Sequence, residues 1–118
     1  MANLNKELTE HNSKVVVLDF INALNAEDFD LARQQLHDEM TFKGVMSERN
    51  GADAYMKDMK NMKLKYEVKK VFTDNEDVCL FYDIKINGKK LFGSGWYGLE
   101  NEKIKSFQVI FDPRPVLT

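Results

Sequence analysis

The chain is poor in the residues that build the simplest functional sites. Its single cysteine, Cys79, leaves no partner for an internal disulfide and no thiolate cluster for a metal. No metal-ligand spacing, glycine-rich phosphate loop or Ser/Cys–His nucleophile signature occurs, so neither a metal nor a cofactor is expected. Charge of one sign is lacking too: a net charge of −2 argues against binding nucleic acid or a membrane surface through bulk charge. No apolar run approaches the roughly 20 residues of a membrane-crossing helix. The stretch from Met1 to His11 is polar and has no signal-peptide core, which gives the expectation of a cytoplasmic protein.

What is present is the material of one α+β domain. At 118 residues, 43% of them hydrophobic, the chain has the length and the apolar content to bury a real core. Val17, Phe20, Ile21 and Leu24 recur at helical spacing and predict a first helix from about Lys6 to Leu24. Asp28 is placed to cap a second, short helix with Phe29, Ala32 and Leu36 on one face. Met40 to Val45 reads as a short strand with Met40, Phe42 and Gly44 on one side. Asn50 is the expected N-cap of a third helix, with Asp53 favouring its positive end and Tyr55, Met59 and Met62 as its buried stripe.

From Leu64 the period changes from 3.6 to 2. Leu64, Tyr66, Val68 and Phe72 alternate with lysines and Glu67, as in a sheet with one solvated face. A turn at Asp74–Asp77 leads to a strand from Val78 to Ile86. Asn87-Gly88 is a strong hairpin signal, because both central residues of a type I′ turn need positive φ. Strands from Lys89 to Leu99 and from Lys103 to Phe111 follow, separated by a turn at Glu100–Glu102. Asp112-Pro113-Arg114-Pro115 cannot continue a central ladder, since proline lacks the N–H donor. Helices followed by a four-strand meander imply a curved antiparallel sheet wrapped around the N-terminal helices.

In this order the segments Phe20–Asp28, Leu36–Phe42, Arg49-Asn50-Gly51 and Phe111–Pro115 resemble the nuclear-transport-factor-2-like superfamily, in its SnoaL-like and ketosteroid-isomerase-like branches. The resemblance runs from about Val15 to Pro115 and implies one cone-shaped domain over residues 1–118, cystatin-like in its sheet, with a deep pocket. Members include isomerases, dehydratases, cyclases, epoxide hydrolases and non-catalytic binders, so the resemblance carries fold and not chemistry. Ketosteroid isomerases keep a tyrosine on the first helix, a general-base aspartate after the first short strand, and a protonated aspartate in the later long strands. Those positions match Phe20, Gly44 and Ser94 here. With no base and no oxyanion donors at them, the resemblance implies that ketosteroid isomerase activity is absent.

The same alignment points Phe92, Ser94 and Trp96 into the cone, together with Phe107, Val109 and Phe111, and puts Lys105 at the rim. Phe20, Met40, Phe42, Gly44, Tyr55, Met59 and Tyr82 complete an inward set suited to a small apolar, cyclic ligand. The alternative is that these side chains fill the cone. Trp96 serves packing as readily as ligand contact, and Gly93 and Gly95 mark a bulge or a close backbone approach. The acid–base candidates are Tyr82, Asp83 and His37. Asp83 falls out of phase with Tyr82 and Ile84 and is expected to face solvent or a partner. His37 is placed at a helix end, where it would satisfy last-turn carbonyls. Cys79 reads as a small buried hydrophobe. The lysines at 57, 60, 63, 65, 69 and 70, interrupted by Asp58 and Glu67, read as a solvated face.

The leading expectation is therefore a SnoaL-like binder of a small apolar ligand. A lyase, cyclase or isomerase with an unrecognised acid–base group is the rival. A third reading is a dimeric interaction module, because the sheet's outer face, taken as Leu91, Gly93, Tyr97, Gln108 and Ile110, is more apolar than a solvated face should be and predicts a homodimer through the sheet.

Overall fold

The computed structural model describes residues 2–117. Helix α1 (Ala2–Asn25) is followed by α2 (Phe29–Gln34), strands β1 (Leu36–Lys43) and β2 (Glu48–Asn50), and helix α3 (Ala52–Met62). Four long strands come next, β3 (Lys65–Asp74), β4 (Asp77–Ile86), β5 (Lys89–Glu100) and β6 (Lys103–Phe111), before the short α4 (Arg114–Leu117). They form one curved, unclosed six-stranded sheet in the order β2-β1-β6-β5-β4-β3, in which β1 runs parallel to β6 and the other pairings are antiparallel. The expected α+β architecture, with a curved sheet around N-terminal helices, is the one observed.

Local chemistry explains most of the boundaries. The Asp28 carboxylate accepts from Leu31 N and caps α2 as its sequence position predicts. Asn87 (φ 50°) and Gly88 (φ 79°) both adopt the left-handed backbone that the hairpin turn needs. Asn25 then fastens the end of α1 to the sheet: its amide donates to Tyr66 O (2.9 Å) and accepts from Tyr66 N (2.7 Å), as a neighbouring strand would. Arg33 ties α2 to two further elements, donating to Asp53 on α3 (2.9 Å) and Asp38 on β1 (2.7 Å).

Several expectations are corrected. Asn50 is not a helix cap: Glu48–Asn50 pairs back on β1, and Gly51, at φ 93°, caps α3 without a side-chain bond. His37 and Leu36 belong to β1 rather than to a helix, and the His37 Nδ1 accepts from Glu39 N instead of serving helix carbonyls. The buried stripe of α3 is Tyr55, Met56 and Met59, with Met62 exposed.

The largest correction concerns which way the strands face. On β5 the inward residues are Leu91, Gly93, Gly95, Tyr97 and Leu99, while Phe92 and Trp96 are each 57% exposed on the outer side. Register fixes this: inward Val78, Leu80, Tyr82 and Ile84 of β4 lie opposite Tyr97, Gly95, Gly93 and Leu91. Ser94 pairs with outward Phe81, and Cys79 with outward Trp96, so Cys79 is a half-buried outer-face residue in contact with Ser94 (3.4 Å). The sequence misleads here because the inward side of β5 is written in glycines. A Cβ on Gly95 would overlap the Tyr82 hydroxyl of β4 and come within 2.8 and 2.9 Å of Tyr97 on β5 itself, so the space at Gly95 is taken by two tyrosines.

Two bulges add to the misreading. One between Val68 and Lys70 turns Phe72 outward, against the plain alternation from Tyr66. Another near Gly98 and Leu99 sets Lys105 aside from the inward set, where it lies 3.8 Å from Glu39.

Candidate functional site

The inside of the cone divides into a packed end and an open end. At the packed end Tyr97 and Phe107, directly opposite on β5 and β6, stack with centroids 4.1 Å apart, and Phe20 of α1 meets both nearly edge-on at 6.5 and 6.4 Å. Such pairs gain about 0.5–1.5 kcal/mol beyond their buried area. Tyr82 lies in the same layer and shares a 2.9 Å hydrogen bond with the Tyr97 hydroxyl. Phe20 and Tyr82 are both fully buried in this layer.

At the open end a cavity of about 130 Å³ remains between α3, the β1–β2 turn and the ends of β3, β4 and β6. Seven of the expected ligand residues line it: Phe42, Gly44, Tyr55, Met59, Phe107, Val109 and Phe111. Five do not. Phe20 and Tyr82 are behind the wall, and Phe92, Ser94 and Trp96 are on the opposite side of the sheet, Trp96 donating its indole N–H to Asp77 (3.0 Å). Leu64, Tyr66, Ile84 and Ile86 complete the apolar wall, and Met46 and Met62, both exposed, edge the mouth.

The wall also contains one charged side chain that sequence reading passed over. Asp58, one turn beyond Tyr55 on α3, faces the cavity, and Arg49 Nε lies 2.7 Å from its Oδ2. In the sequence it stood among lysines and read as part of a solvated face. The helical spacing that puts Tyr55, Asp58 and Met62 on one side was the available signal.

None of the three acid–base candidates enters the wall. Tyr82 is bonded to Tyr97. Asp83 is on the outer face, as expected, with Lys69 and Lys90 at 3.5 and 3.8 Å, and His37 is on β1 beside Glu39. Gly44 carries no carboxylate, and a Cβ there would come within 2.8 Å of the Phe42 ring. The polar side chains among the lining residues are Asp58, Ser47, Tyr55 and Tyr66. Burial pushes all four tyrosine hydroxyls, at 55, 66, 82 and 97, well above their ordinary pKa, and the Asp58 charge adds to the rise at Tyr55. These phenols stay protonated and act as neutral donors or acceptors, not as bases.

A family model described as "SnoaL-like domain" matches residues 17–107. No curated protein matches the chain. Among solved structures, an NTF2-like protein of unknown function from Cytophaga hutchinsonii is 48% identical, with a TM-score of 0.88 over 90% of this chain and 95% of that one. A putative SnoaL-like polyketide cyclase from Jannaschia superposes at a TM-score of 0.80 with 13% identity, covering 93% of this chain and 92% of that one. A putative ketosteroid isomerase from Kribbella flavida does so at 0.81 with 8% identity, covering 87% and 79%. These last two are likenesses of fold.

The raised tyrosines make a prediction. All four ionise near pH 10 in an unfolded chain, so the fold's contribution is complete below about pH 10 and is lost as pH rises beyond it, when only the unfolded state releases phenolic protons. Absorbance at 295 nm should stay flat in the native protein past pH 10 and then rise for all four tyrosines together with unfolding. Stepwise tyrosinate formation near pH 10 in the folded protein would contradict the assignment. The family model and the highly similar solved structure place this chain in the SnoaL-like family, on the NTF2-like fold.

Proposed function

We propose that the protein binds a small, apolar, cyclic molecule in the cavity at the open end of the cone, and that it does not perform the proton transfer of ketosteroid isomerases. The observation that carries this reading is a hydrophobic space of about 130 Å³ walled by Phe107, Val109, Met59 and Ile84, where the position of the missing base is Gly44. An apolar cavity of about 150 Å³ stays dry and accepts benzene, so this space matches a single ring. The methionines at the mouth suit a ligand that extends further, because their flexible side chains re-pack.

Toluene tests the reading. At tenfold excess over its Kd it should stabilise the fold by about 1.4 kcal/mol, a shift of several degrees in Tm. Val109→Phe, which fills the space, should keep the fold and lose the shift. No shift in the unaltered protein, or an equal one in Val109→Phe, would sink the proposal.

A second reading concerns assembly, and the outer face of the sheet favours it. Phe72, Phe81 and Phe92 contact one another in a row across β3, β4 and β5, with centroids 6.1 and 6.2 Å apart, and Trp96 and Ile110 extend the apolar surface. A monomer rarely leaves so continuous a patch in water. We infer a homodimer through this face, built from these residues rather than from Leu91, Gly93 and Tyr97, which point inward. Native mass spectrometry at micromolar concentration should give twice the 13.7 kDa of one chain, and Phe92→Asp with Ile110→Asp should give monomers. A monomeric unaltered protein would rule this out.

A further inference from the structure

Asp58 is the one charged side chain among the residues lining the apolar cavity. It sits on α3, whose other polar residues at Lys57, Lys60 and Asn61 are exposed, and its own side chain is 30% exposed at the cavity's edge. Arg49 approaches Oδ2 alone, and Arg49 is itself held by a hydrogen bond from Nη1 to Glu48 O (2.8 Å). Among the described residues Oδ1 accepts no hydrogen bond. The remaining wall is aromatic or aliphatic apart from Ser47 and the two tyrosine hydroxyls. A molecule entering the mouth therefore meets one carboxylate oxygen with spare accepting capacity beside an apolar wall.

We propose that the cavity's ligand is a ring bearing a hydrogen-bond donor, a protonated amine or a hydroxyl, and that Asp58, positioned by Arg49, is the group that receives it. This rests on the reading that the cavity binds a ligand, and it adds the polarity of that ligand's head. A carboxylate head is excluded by like charge: the anion would face Asp58 with the nearest cation, Arg49, already engaged on the carboxylate's other oxygen. The body of the ring lies against Met59, Phe107 and Val109, and the donor points to the mouth.

Four one-ring probes of similar size separate the possibilities: toluene, benzyl alcohol, benzylamine and benzoate, each titrated against the full chain by methyl NMR. Benzylamine should bind about tenfold tighter than toluene or better, as expected of a hydrogen bond to a charged acceptor, with benzyl alcohol between them and benzoate weakest. Asp58→Asn should remove the benzylamine advantage and leave toluene unchanged. The unchanged toluene binding of Asp58→Asn guards against a general loss of fold in that variant. Benzoate binding as tightly as benzylamine, or a ranking unaltered in Asp58→Asn, overturns the inference. If toluene binds but the four probes do not differ, this inference fails while the apolar-cavity reading stands. If no probe binds, both fail.

Discussion

The stack of Tyr97 on Phe107 decides how much of the cone stays open. These two rings stand opposite each other on adjacent strands, and their 4.1 Å separation draws β5 and β6 into a filled aromatic layer under Phe20. The layer depends on small residues beside it. Gly95 gives up its side-chain volume to the Tyr82 and Tyr97 hydroxyls, which then satisfy each other away from water. Space is therefore closed at the α1 end of the cone and kept at the α3 end, where Gly44 lines the wall without a side chain.

The sequence conveyed the elements well and their facing less well. Turns announced themselves through Asn87-Gly88 and the cap through Asp28, because those signals are local and chemical. The period-2 pattern of the meander located β3 to β6 to within a residue or two. On β6 it also gave the right inward set, Phe107 and Val109. On β5 the facing was taken from the family alignment, which pointed Phe92 and Trp96 inward, whereas the interior has Gly93 opposite Tyr82 and Gly95 beneath the Tyr82 and Tyr97 hydroxyls. Which glycine faces in is a fact about the neighbouring strand. The bulge after Val68 is a second non-local effect, since one extra residue reverses every later side chain of β3. β2 was missed because three exposed residues, Glu48–Asn50, carry no hydrophobic pattern at all.

The site was legible by halves for the same reason. Residues recognised through helix spacing or through β6 alternation, such as Tyr55, Met59 and Val109, do line the cavity. Residues placed by alignment on β5 do not. Asp58 was hidden by its lysine neighbours, although its ring-lined surroundings make it the most distinctive group in the wall. The inward positions beside Ser94 are glycines, and the buried tyrosines are held neutral by desolvation, so the one carboxylate among the wall residues is that of Asp58.

The central claim is a division of the cone into a sealed aromatic layer and an open apolar mouth. The most direct measurement is a methyl-labelled NMR titration with toluene that reports both ends in one spectrum. The account predicts shifts that saturate at Met59, Met62, Leu64, Ile84 and Val109, with Val17, Ile21 and Leu80 undisturbed. Shifts centred on Val17, Ile21 and Leu80 would mean that the aromatic layer opens to a ligand, and would contradict it.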